Sequence, residues 1–185
     1  GTIQWQSSTS PSTGYTNIIG QTSTTLPSAS ISNTTTMYYL AVVTNGVCPS
    51  ATISATVNVS PATVAGTANI SAGTSTICFG TVPGSLPTIT LTGFTGAIQW
   101  QSSTTNVDAN FVDISGTNSP NIDNAISKYY RAKVKSGACS PLNSNVVYVS
   151  VDQPSSAGTI SPPTQNICIG SSPTPISLTN YLGTI

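Results

Sequence analysis

The side chains with most chemistry to offer are four cysteines, Cys48, Cys78, Cys139 and Cys168. Cys48 and Cys139 end short turn-like stretches, Asn45-Gly-Val-Cys48 and Ser136-Gly-Ala-Cys139. Cys78 and Cys168 sit in a second pattern, Ile77-Cys-Phe-Gly80 and Ile167-Cys-Ile-Gly170. Zinc would need four ligands close together, and the chain has neither a Cys-x-x-Cys nor a histidine. Evenly spaced cysteines without histidine read as disulfide partners from an oxidising compartment. Free structural thiols and a metal site are the alternatives.

General acid–base chemistry has little to work with. Glutamate is absent, and the carboxylates are Asp108, Asp113, Asp123 and Asp152. Catalysis needs a positioned acid or base, an activated nucleophile or a metal. No catalytic residue, metal ligand or cofactor is therefore assigned, and the chain does not read as an enzyme. Asp108 flanked by Asn106 and Asn110 has the oxygens of a weak calcium loop, but a plain turn is the simpler account. Trp5 and Trp100 could stack on sugars. Their identical Ile-x-Trp setting favours structural core anchors, with Tyr39 and Tyr130 beside them. Tyr38 and Tyr129 are the possible glycan contacts; the alternative is cross-strand packing.

The elements that position these residues are written as a repeat. Gly1-Thr-Ile-Gln-Trp-Gln-Ser-Ser-Thr9 recurs as Gly96-Ala-Ile-Gln-Trp-Gln-Ser-Ser-Thr104. Tyr38-Tyr39 recurs as Tyr129-Tyr130, and Ala65-Gly-Thr67 as Ala157-Gly-Thr159. The period is near ninety residues, the size of one immunoglobulin-like sandwich and longer than solenoid repeats. Pro61 and Pro154 each follow a strand-like run and cannot extend a ladder, so they mark linkers. This phase gives a partial repeat over 1–60 (later strands), a complete one over 61–152 and a partial one over 153–185 (early strands). The chain reads as a window on a longer array.

Within the complete repeat, alternation predicts strands at Gly66–Ile70, Thr76–Phe79, Thr88–Leu91, Ala97–Ser102, Phe111–Ile114, Asn121–Asp123, Tyr129–Lys135 and Asn145–Val151. Trp100, Tyr130, Ala132, Val134, Val147, Val149 and Val151 fall on inward faces; Tyr129, Arg131, Lys133 and Lys135 fall outward. In variable-type immunoglobulin folds the second and last strands run side by side in parallel. On that basis Cys78 and Cys139 are expected to pair, leaving Cys48 and Cys168 with partners outside the chain. A Cys48–Cys78 bridge across a repeat junction is the other option.

Composition agrees with an all-β fold of tandem immunoglobulin-like β-sandwich repeats. Ser and Thr make up about a third of the 185 residues, and charged residues only 4%. All eight charged side chains lie between Asp108 and Asp152, so residues 1–107 carry none. A basic stripe for nucleic acid is missing, as is a polybasic membrane patch.

Taken in order, Ala157–Ile160, Ile167–Gly170, Leu178–Tyr181, Ile98–Ser103, Asp113–Gly116 and Tyr129–Cys139 resemble the repeats of giant Bacteroidetes cell-surface adhesins, of the SprB-type gliding-motility class of Flavobacterium. The resemblance covers essentially the whole chain. It implies a filament exported by the type IX secretion system and held at the cell surface, associated with the outer membrane. Its partners would be neighbouring repeats, surface polysaccharides, and gliding or secretion machinery reached through other parts of the chain. The first repeat departs from the pattern, with Leu40 in place of Arg131 and Thr44 in place of Lys135.

Overall fold

Apolar residues alternate with hydroxyls and amides along most of the chain, so most segments bury one face and wet the other, as antiparallel strands do. A computed structural model describes residues 1–115 and 119–184. Gly116, at the end of the Asp-Ile-Ser-Gly stretch, and Ile185 lie outside them. The strands are β1 (Thr2–Ser8), β2 (Thr16–Asn17), β3 (Met37–Thr44), β4 (Ala51–Val57), β5 (Val64–Ala72), β6 (Thr76–Cys78), β7 (Thr88–Thr95) and β8 (Ala97–Ser103). They continue with β9 (Val112–Asp113), β10 (Lys128–Lys135), β11 (Leu142–Asn143), β12 (Val147–Asp152), β13 (Thr159–Ser161) and β14 (Ser177–Thr179). Among the described residues, helix is confined to three single 3-10 turns, and no helix is long and apolar enough to cross a membrane.

Two compact units form. The first comprises Gly1–Ala65, Gly93–Ala97 and Val134–Leu142. Its sheet runs β2-β1-β3-β4, antiparallel throughout. Trp5 lies opposite Ala41, and Tyr39 opposite Ala55. Tyr39 and Ala41 are buried, but Val43 and Ala55 on the same face are exposed.

The second unit comprises Gly66–Thr92, Ile98–Lys133 and Asn143–Ile185. The sheet β6-β12-β10-β8-β9 and the ribbon β5-β7 bury their facing residues: Trp100, Tyr130, Ala132 and Val149 on one side, Ala68, Ile89 and Leu91 on the other. That is a sandwich core, and the all-β immunoglobulin-like fold expected from the sequence holds. β6 runs parallel to β12, with Thr76, Ile77 and Cys78 level with Ser150, Val151 and Asp152. β13 and β14 form a separate antiparallel ribbon.

One strand predicted from sequence does not form. Asn121–Asp123 is irregular, because the backbone N–H of Asp123 is spent on the Tyr130 hydroxyl and its carboxylate caps the amides of Ala125 and Ile126. This side-chain capping competes with a ladder.

Candidate functional site

The two tyrosines of the inward face act alike. The Tyr130 hydroxyl accepts from Asp123 N at 2.8 Å, and the Tyr39 hydroxyl accepts from Ser32 N at 2.6 Å, each seven residues upstream. This is the tyrosine corner of immunoglobulin-like sandwiches. Burial pushes the Tyr130 phenol above its ordinary pKa. The tryptophans differ in setting. Trp100 is fully buried, and among the described residues its Nε1 meets no acceptor. Trp5 is half-buried and donates to the carbonyl of Ser23 at 2.9 Å.

The glutamine ahead of each tryptophan ties the strand to its neighbouring segment, a role its outward position did not announce. Gln4 Nε2 donates to the carbonyls of Trp5 and Ile18 at 2.7 and 3.0 Å. Gln99 does the same to Trp100 and Ile114, at 2.9 Å each.

Of the two outward tyrosines, Tyr129 lies opposite Tyr148 on β12, with ring centroids 4.5 Å apart and planes tilted by 35°. Tyr38 lies opposite Thr56 and has no such partner across the ladder.

Arg131 corrects the sequence reading. It is placed on an outward face, yet it is only 6% exposed. Its Nε donates to Gln101 Oε1 at 2.9 Å, its Nη1 forms an ion pair with Asp108, and its guanidinium lies 4.1 Å over the Phe111 ring. Gln101, itself buried, donates to Asp113 at 2.8 Å. The loop carrying Asp108–Phe111 folds back over the sheet and converts a nominally wet face into a covered one. Lys133 and Lys135 stay exposed.

Three of the four carboxylates, Asp108, Asp113 and Asp123, are engaged in structure. Asp108 and Asp113 belong to the arginine cluster. Asp123 pairs with Lys128 at 2.7 Å and accepts from Ala125 N and Ile126 N. Burial opposes its ionisation, but the hydrogen bonds from Lys128 and the two amides outweigh it and hold the pKa below the usual aspartate value. Among the described residues, no three metal-ligating side chains cluster. The arrangement fixes turns.

The expected Cys78–Cys139 disulfide does not form: all four thiols are free. The expectation needed Cys78 at the start of the parallel pair. Instead Cys78 is level with Asp152, the last residue of β12, whereas Cys139 precedes that strand. Cys139 lies beside the segment that links β4 to β5, its Sγ 3.4 Å from the carbonyl oxygen of Pro61. Cys48, Cys78 and Cys168 are exposed.

One contact had no signal in the repeat. Asn145 accepts from Ala68 N at 2.7 Å and donates to Ala68 O at 2.9 Å, so its amide completes the backbone pairing of β5.

The family model described as a domain of unknown function (DUF8696) matches residues 1–62 and again residues 64–153, and the chain belongs to that family. No curated protein matches. Among solved structures, the chain is similar to one described as a "Ca2+-stabilized adhesin" that "helps an Antarctic bacterium reach out and bind ice", at 13% identity and a TM-score of 0.35. That likeness covers 86% of this chain and 42% of the other, so the chain spans less than half of that structure's length.

Proposed function

We propose that this DUF8696 chain, with two family domains in direct succession, is a structural repeat segment of a long bacterial cell-surface adhesin filament. It would space an adhesive tip from the cell and serve surface attachment and gliding motility. It carries out no catalysis itself. The observation that carries this reading is the junction between the two matched segments. Ser136 N donates to Thr63 Oγ1 at 3.1 Å, Ala138 N to Ser60 Oγ at 3.4 Å, and Cys139 Sγ lies 3.4 Å from the Pro61 carbonyl. Gly137 is pressed so close that an added Cβ would stand 2.0 Å from Ser60 Oγ. These contacts hold the linker segment 60–63 against the Ser136–Cys139 turn, as a spacer with ordered linkers requires. The motif resemblance to gliding adhesins supports the surface location, and the structural engagement of Asp108, Asp113 and Asp123 suits a role without chemistry.

Limited proteolysis tests it: the linker segment 60–63 should resist cleavage in the wild type, and Gly137→Val should expose it. A wild-type linker cleaved as fast as the variant's would refute the spacer.

A second reading, weak glycan binding multiplied along the array, is favoured by the Tyr129–Tyr148 pair, which presents aromatic surface with Tyr148 44% exposed. A polysaccharide panel separates the two. Saturable binding lost in Tyr148→Ala would favour glycan recognition; no binding by the whole chain removes it.

A further inference from the structure

We propose that the Ile-Cys-x-Gly cysteine of each repeat forms a disulfide with the Gly-x-Cys cysteine of the repeat that follows, stapling the array covalently at every junction. The proposal rests on the array reading above and adds a covalent partner to it.

The complete repeat shows where the first cysteine sits. Cys78 is level with Asp152. Beyond it, Phe79 N donates to the carbonyl of Asp152 at 2.8 Å, and Gly80 N to that of Asn124 at 2.9 Å. Asn124 Nδ2 returns a bond to the carbonyl of Thr81 at 2.9 Å. The Cys-x-Gly segment therefore lies along the end of the last strand, against the turn before the tyrosine strand.

The first repeat has the same frame. Met37 pairs with Val57 as Lys128 pairs with Val149. Thr36 Oγ1 accepts from Val59 N at 3.0 Å as Ser127 Oγ accepts from Val151 N at 2.9 Å. Ser60 thus corresponds to Asp152, and, through the two tyrosine corners, Asn33 corresponds to Asn124. Residues 1–60 contain no Ile-Cys-x-Gly segment, and its place is an open groove of about 560 Å³ whose lining includes Ile31, Asn33, Val59, Ser60 and Cys139.

Cys139 comes from the next repeat. Its Sγ lies 3.9 Å from the carbonyl of Ser60, the acceptor whose counterpart in the complete repeat takes the N–H of the residue after Cys78. The occupant that fits the groove is the Ile-Cys-x-Gly segment of the repeat that residues 1–60 complete, and its cysteine would arrive beside Cys139. In a longer array Cys139 is then joined to a cysteine ahead of residue 1, and Cys78 to one beyond residue 185. No two cysteines within 1–185 are partners, in keeping with four free thiols.

The bond forms by thiol–disulfide exchange with a low-molecular-weight disulfide oxidant. One cysteine thiolate attacks the oxidant and releases a thiol; the second cysteine attacks the mixed disulfide and releases another. Two protons and two electrons leave the protein.

The test is a chain in which residues 61–95 are repeated ahead of Gly1, oxidised with glutathione disulfide, alkylated and mapped by mass spectrometry without reduction. The expected result is one cross-link, between the added copy of Cys78 and Cys139, abolished by Cys139→Ser. The other three cysteines should be alkylated. A cross-link from the added cysteine to Cys48 overturns the proposal. So does a chain that melts cooperatively with the added cysteine alkylated, a result that leaves the array reading standing.

Discussion

Tyr130→Phe tests the tyrosine corner with the smallest possible change. The ring keeps its packing, and only the hydroxyl that accepts from Asp123 N at 2.8 Å is lost. Tyr130 is 1% exposed, so water cannot readily replace that acceptor, and the amide is left unsatisfied. Such a loss costs about 1–3 kcal/mol. For a cooperative unit of one repeat, each kcal/mol is worth about 4–8 °C in Tm, so a fall of about 10 °C is expected. Thermal and urea denaturation followed by tryptophan fluorescence, with Trp5→Phe as background so that Trp100 alone reports, measure the shift in Tm and the loss of stability. The variant also carries a pH signature. Burial raises the folded phenol's pKa, so the folded state holds that proton more tightly than the unfolded one. This contribution is complete below the unfolded value of about 10 and fades as pH rises through the folded value. Tyr130→Phe should flatten that alkaline decline. A variant within about 0.5 kcal/mol of wild type, with its alkaline slope unchanged, would refute the argument that this hydroxyl holds the 121–126 turn.

Three further outcomes are expected. Trp100→Ala should cost about 3–5 kcal/mol, while Trp5→Ala should cost less than half as much because Trp5 is half-buried; paired urea curves give the ratio. Asn145→Ala removes both bonds to Ala68 and should cost about 2 kcal/mol, with amide exchange at Ala68 accelerated in NMR. Asp123 has a lowered pKa when folded, so its contribution is present above the unfolded value near 3.9 and is lost as pH falls through the folded value. Asp123→Asn should be less stable at neutral pH and should lack that acid-range loss in a Tm-versus-pH series.

The sequence by itself determined the period, the fold class and most of the strands. Alternation of apolar and polar residues is imposed by the pleat of each strand, so Trp100, Tyr130, Ala132 and Val149 could be assigned to the core from local pattern alone. The parallel run of β6 and β12 was also legible, because it follows from the immunoglobulin-like topology once the phase is set. Only the tertiary structure decided which ends meet. Cys78 and Cys139 lie 61 residues apart, and the level of one against β12 depends on strand register and turn geometry that no local pattern encodes. The same holds for Arg131, outward by alternation yet buried because a loop more than twenty residues upstream covers it, and for Asn145, whose partner Ala68 lies 77 residues away. Periodicity gives the face of a residue; whether that face meets water is settled by parts of the chain far off in sequence.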